Sequence, residues 1–165
     1  MSKLTIATGA EADAKAHLQE LGIYGKSSSV VSNLFRISNI IRSRAETQLF
    51  NDFGLSFSGF TALWVLWVWG PMETNKLAQE TAVAKSTLTG VLKTLERGGY
   101  TQRQPHPEDK RRVVASATPE GQALMQEIYP LFHQIEDDVV SELSDEDLDI
   151  TKDMLRMILA TVSKS

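Results

Sequence analysis

The chain has 165 residues, 42% hydrophobic and 23% charged, with a formal net charge of −4, a globular composition with room for one ordinary domain or two small packed subdomains. It contains no cysteine, which excludes disulfides, thiolate metal sites, cysteine nucleophiles and thiol redox sensing, and fits a reducing cytoplasm. The opening MSKLTIATGAEADAKAHLQELG has no long apolar run, so no secretory signal is expected.

Residues 1–28 read as a weakly ordered N-terminal arm with one short helix around Ala10 to Leu21. GKSSS, Gly25 to Ser29, marks a linker and a helix start. From there apolar residues recur at Val30, Leu34, Ile37 and Ile41, then at Leu49 and Phe50, a helical stripe. NDFG closes it, with Gly54 placed to cap the C-terminus. The next helix starts at Ser56 or Ser58, either of them a suitable N-cap. It carries FTALWVLWVWGP, residues 60–71, which holds all three tryptophans. Phe60, Leu63, Trp64 and Trp67 form one apolar strip and Ala62, Val65, Leu66 and Trp69 a second, so this helix is expected to be buried on more than one side. A membrane span needs about 20 apolar residues; this run stops at Gly70-Pro71 and is too short.

Two short helices follow, from Thr74 to Thr81 and from Ala84 to Arg97, the second ended by Gly98-Gly99. YTQRQ and RVVASA read as strands flanking the polar tip PHPEDKR, a long hairpin. TPEG opens a long helix with Thr118 as N-cap and Pro119 in its first position. Leu124, Ile128, Leu131, Ile135 and Val139 make its face, and Pro130 should kink or interrupt it. SDED, Ser144 to Asp147, resembles a capping box before a last helix striped by Leu148, Thr151, Leu155, Ile158, Leu159 and Val162. Short helix, turn, helix and hairpin is a winged helix-turn-helix pattern.

Charge is unevenly spread. Between Thr74 and Ala117, Lys76, Lys85, Lys93, Arg97, Arg103, Lys110, Arg111 and Arg112 outnumber Glu80, Glu96, Glu108 and Asp109. From Thr118 onward acidic residues dominate, against Lys152, Arg156 and Lys164. A basic middle in an acidic chain is either an ordinary solvated surface or a local site for a polyanion. The helix AKSTLTGVLKTLER fits both an ordinary amphipathic surface helix and one lying in a groove, and the hairpin tip after it shifts the balance to nucleic acid. Leu88, Val91, Leu92 and Leu95 form its buried stripe, and Ser86, Gly90, Lys93 and Arg97 lie opposite, with Thr89 beside them. Small polar groups near the N-terminal end can approach base edges in a major groove, while cations further along reach phosphates. At the hairpin tip, Lys110, Arg111 and Arg112 repel one another unless an anion neutralises them. An arginine there can enter a minor groove, held by Asp109 through a bidentate pair.

Taken together, FTALWVLWVWGPMETNKLAQETAVAKSTLTGVLKTLERGGYTQR, PEDKRR and ATPEGQAL resemble the MarR (multiple antibiotic resistance regulator) family of transcription regulators. The matching features are the apolar helix, Gly-Pro, the Leu-Ala helix, the Ser-Thr recognition helix, the wing Asp-x-Arg and the Thr-x-x-Gly helix start. The resemblance implies a mainly α fold with a small β-hairpin wing: a winged helix-turn-helix over about 56–117, and dimerisation helices over about 29–53 and 118–163 within a single domain, 29–165. It implies a homodimer reading a palindromic double-stranded DNA operator. Lys85, Ser86, Thr87, Thr89, Gly90, Lys93 and Arg97 of the recognition helix are then DNA-binding, as are Asp109, Lys110, Arg111 and Arg112 of the wing, with Arg111 in the minor groove. It further implies a repressor released by a small aromatic or carboxylate effector, bound near Trp64 and Trp67 with Arg36 or Arg42 as cation, unless those tryptophans only fill the core. Ala84 stands where the family often has Ser, the tryptophan helix is more aromatic than usual, and the N-terminal arm has no family role.

Two other classes fit less well. For an enzyme, His17, His106 and His133 are scattered without partners, GLSFSG misses the G-x-S-x-G elbow, and no phosphate loop occurs. No metal or cofactor is expected. A winged helix used only for protein contacts would have no need of three cations at the tip.

Overall fold

The computed structural model describes residues 9–23 and 25–163, so part of the expected N-terminal arm lies outside the described residues. The chain forms two compact units that divide at Arg42. The first holds helix α1, Gly9–Glu20, and the beginning of α2, Lys26–Gln48. On α2, Val30, Val31, Phe35, Ile37 and Ile40 are exposed.

The second unit begins inside α2 at Ser43. A single 3-10 turn, Phe50–Phe53, leads through Gly54 in the left-handed conformation (φ 64°) to α3, Phe57–Trp69. Ser56 is the cap of α3: its hydroxyl accepts the Gly59 N–H at 3.1 Å, and the Glu46 carboxylate accepts the Phe57 N–H at 2.9 Å. Two of the helix's orphan donors are thus satisfied. Next come β1 (Met72–Glu73), α4 (Thr74–Glu80) and α5 (Lys85–Arg97). The strands β2 (Thr101–Pro105) and β3 (Val113–Ala117) precede α6 (Pro119–Val140) and α7 (Asp145–Val162). The sheet is antiparallel in the order β1-β3-β2, with Met72 opposite Ala115 and Arg103 opposite the same residue on the other side.

α3 is the hub of this unit, packing on α4, α5, α6 and β3. Phe60, Ala62, Leu63, Val65 and Leu66 are buried, which satisfies the expectation of an element covered on more than one side. The tryptophans sit at its margins instead: Trp64 and Trp67 are half-buried, and Trp69 is exposed. Leu63 is fully buried, and truncating such a leucine to Ala costs about 2–5 kcal/mol. At the start of the 3-10 turn, Phe50 stacks on Phe60 at 4.4 Å, and Phe132 closes on Phe60 at 4.7 Å.

The junction of sheet and α6 explains the Thr-x-x-Gly pattern. Thr118 Oγ1 donates to Gly99 O at 2.6 Å and accepts the Gly121 N–H at 3.0 Å. A Cβ on Gly121 would stand 2.1 Å from the Tyr100 carbonyl oxygen, so only glycine lets helix and strand come this close.

Two expectations need correction. β1 has no counterpart in the sequence reading, because two residues without alternation form a strand only where β3 offers an edge. Pro130 does not interrupt α6, which runs unbroken past it. Both Pro130 and Gln126, whose carbonyl loses its amide partner, lie on the exposed side, where water replaces the missing donor. Among the described residues, no helix is long and apolar enough to cross a membrane.

Candidate nucleic-acid interface

Three leucines orient α5. Leu88, Leu92 and Leu95 are buried, which turns the ridge of Ser86, Gly90, Lys93 and Arg97 outward; all four are exposed. Lys85, Thr87 and Thr89 flank the ridge and are exposed as well. The Thr89 hydroxyl donates to Lys85 O at 2.9 Å, so its lone pairs are what it presents to a partner. A Cβ on Gly90 would meet nothing within 4 Å. No neighbour among the described residues requires a glycine there, although it weakens the helix by about 1 kcal/mol relative to alanine. At the N-terminus, Ala84 provides no side-chain cap, which leaves the first N–H groups of α5 open to water or to phosphate oxygens.

In the turn between α4 and α5, Ala82 has φ of 51°. This left-handed conformation costs a non-glycine residue about 1–2 kcal/mol, and here it is held by the Ala82 and Val83 N–H groups donating back into the end of α4.

The wing is braced at three places. Arg103 on β2 makes a bidentate pair with Glu96 on α5, both hydrogen bonds 2.7 Å long and both side chains 27% exposed. These hydrogen bonds hold the Glu96 carboxyl below its usual range and push the Arg103 guanidinium higher still. Arg112 turns back from the hairpin to Glu73 at the end of β1, its Nε donating at 2.8 Å. At the tip, Asp109 Oδ1 accepts both the Arg111 backbone N–H at 3.0 Å and its Nε at 3.1 Å, and Oδ2 accepts Nη2 at 3.3 Å. The side-chain bonds first, then the backbone one, hold the Asp109 carboxyl below the ordinary range. Arg111 nonetheless has a side chain 91% exposed. It is a guanidinium fixed at its root and open at its end.

Of the residues singled out in the sequence, the α5 set and the tip residues Lys110 and Arg111 are thus exposed on α5 and on the hairpin that follows it, with Asp109 half-buried beside them. Arg112 belongs to the same hairpin, but its guanidinium is engaged with Glu73. Lys85 and Thr89 share a cleft of about 150 Å³ with Thr74, Asn75 and Arg103. Thr74 and Asn75 drew no attention in the sequence; their position as the first residues of α4 was the available signal. The ion pairs of Glu73 and Glu96 carried no local signal at all, since each joins elements that meet only in the fold. Trp64 and Trp67 lie on α3, where Trp67 packs on Tyr129 of α6 at 5.6 Å. Arg36 lies on α2 within the first unit.

Comparison with known proteins agrees with this geometry. Residues 55–113 match the model of the MarR family. An HTH-type transcriptional regulator of Bacillus subtilis (strain 168), YwaE, is 32% identical over 130 residues, covering 79% of this chain and 76% of its own. The HTH-type transcriptional repressor YetL of the same organism is 34% identical over 84 residues, 51% of this chain and 50% of its own. Among solved structures, the S. aureus MepR–DNA complex superposes with a TM-score of 0.73 at 26% identity, over 80% of this chain and 97% of that one.

Proposed function

Since the chain belongs to the MarR family of winged helix-turn-helix transcription regulators and is a DNA-binding regulator, we propose that α5 enters the major groove of an operator while Arg111 enters the adjoining minor groove. The observation that carries this reading is the pairing of an outward ridge, Ser86-Gly90-Lys93-Arg97, with a wing arginine fixed at its root by Asp109. Ser86 and Thr89 face base edges, Gly90 admits the backbone close to them, and Lys85, Lys93, Arg97 and Lys110 neutralise phosphates. Arg112 acts as a brace for the wing rather than as a contact, because Glu73 occupies its guanidinium.

The chain works as a homodimer on a palindromic site and represses until a small aromatic effector binds. Support for the dimer comes from α7, which leaves Met154, Leu155, Met157, Ile158, Leu159 and Val162 exposed, an apolar face of the kind that oligomer interfaces cover. A winged helix serving protein contacts alone would leave the basic ridge and tip without a purpose.

A footprint on the DNA flanking its own gene, repeated over a salt series, tests the reading. Affinity should fall with log salt at a slope of about −0.9 per phosphate neutralised. Lys93→Ala should shrink that slope by about two units for a dimer, one per copy, with the sequence preference unchanged. Salt-independent binding, or no protected site, would refute it.

A further inference from the structure

Between α3 and α6 lies a cleft of about 290 Å³ whose walls are five aromatic rings, those of Phe57, Phe60, Trp64, Tyr129 and Phe132. Further rings back these walls. Phe50 backs Phe60 at 4.4 Å, Trp67 props Tyr129 at 5.6 Å, and the His133 ring lies parallel to Tyr129 at 6.4 Å. One charged side chain, Glu136, lines the cleft, and none of the described lining residues is a lysine or arginine. Glu136 Oε2 is 3.2 Å from His133 Nδ1, which leaves its other oxygen without a partner among the described residues. The carboxylate is 44% exposed.

What this cleft selects follows from which groups can answer a ligand's charge. An anion would face the Glu136 carboxylate. It would find little help from Thr61, whose hydroxyl donates to Phe57 O at 2.9 Å, or from Trp64, whose indole nitrogen is sealed from solvent. A neutral ligand would fill the rings and leave the carboxylate unused. A cation gains from both, because the negative faces of aromatic rings and a carboxylate attract the same charge.

We propose that this cleft binds an organic monocation, a quaternary ammonium or protonated amine carrying an apolar body, where the sequence led to the expectation of a small aromatic or carboxylate effector. The proposal rests on the reading of the chain as an effector-released regulator, and names the chemistry of that effector.

Calorimetric titration of the full-length protein without DNA tests it, using three probes of similar shape: benzyltrimethylammonium, its neutral carbon counterpart neopentylbenzene, and phenylacetate. The cation should bind about tenfold more tightly than either of the others. Glu136→Gln should remove that advantage, leaving neopentylbenzene affinity as it was, and Trp64→Leu should weaken the cation as well. Equal binding of cation and neutral probe, tighter binding of phenylacetate, or full cation affinity in Glu136→Gln would each overturn the assignment. Release of operator DNA is measured separately. Cation binding that leaves the DNA complex intact would keep the ligand assignment and sink the effector reading instead.

Discussion

Gly90 and Ala82 carry opposite conformational mismatches, and the contrast separates stability from function. Gly90 is a glycine in a helix interior with open space where its side chain would be. Gly90→Ala should therefore stabilise the isolated protein by about 1 kcal/mol. If close approach to DNA is what the glycine provides, the same change should weaken operator binding. Denaturant melts and anisotropy titrations on one sample would read both, and unchanged DNA affinity would assign Gly90 no role in the contact. Ala82 is the reverse, an alanine in the left-handed region. Ala82→Gly removes that strain but adds freedom to the unfolded chain, for a net gain of about 0.5 kcal/mol in the same melts. Neither mismatch follows from helical periodicity. Gly90 was visible as an oddity in the pattern, whereas the φ of Ala82 depends on how α4 and α5 are joined.

The elements most legible in the sequence are those whose signals are local. Ser56, Thr118 and Ser144 each accept a backbone N–H three residues on, at 3.1, 3.0 and 3.2 Å, and each opens the helix expected there. The last departs from the usual box in one respect: Asp147 is too short to reach back to the backbone and instead accepts the Ser144 hydroxyl at 2.7 Å. What stayed hidden is the bracing between elements. Glu96 and Arg103 tie the end of α5 to β2, so recognition helix and wing are held in one geometry. The folded-state carboxyl of Glu96 lies below its ordinary value of 4.5. The stability it contributes is therefore complete above that value and is lost as pH falls through the depressed one. Glu96→Gln should cost about 1 kcal/mol near neutrality and leave a shallower decline in melting temperature on acidification than the parent shows. A parallel decline in both proteins would mean that the pair contributes nothing to stability. The variant should also lose operator affinity through the wing, since Arg103, which lines a cleft with Lys85 and Thr89, loses its anchor on α5.

For the molecule as a whole, the proposed homodimer is what sets the expected behaviour. The stripe on α7 was legible as helical periodicity, but its exposure was not, since a sequence pattern does not say whether an apolar face meets its own chain or another. In the structure Leu155 and Ile158 remain exposed. The double change Leu155→Lys and Ile158→Lys should halve the mass seen by light scattering and reduce operator affinity by about a hundredfold, as one half-site ceases to assist the other. A dimer of unaltered mass would move the interface elsewhere. The placement of the tryptophans has a consequence of another kind. All three lie on α3, and none lies on α5 or in the wing. The ultraviolet emission of this protein is therefore a label-free report on the surroundings of one helix, with Trp69 in water and Trp64 beside the aromatic cleft. A bound cation would disturb the Trp64 emission directly, while a base pair touching α5 meets no tryptophan, so ligand binding can be read from the emission with operator DNA present or absent.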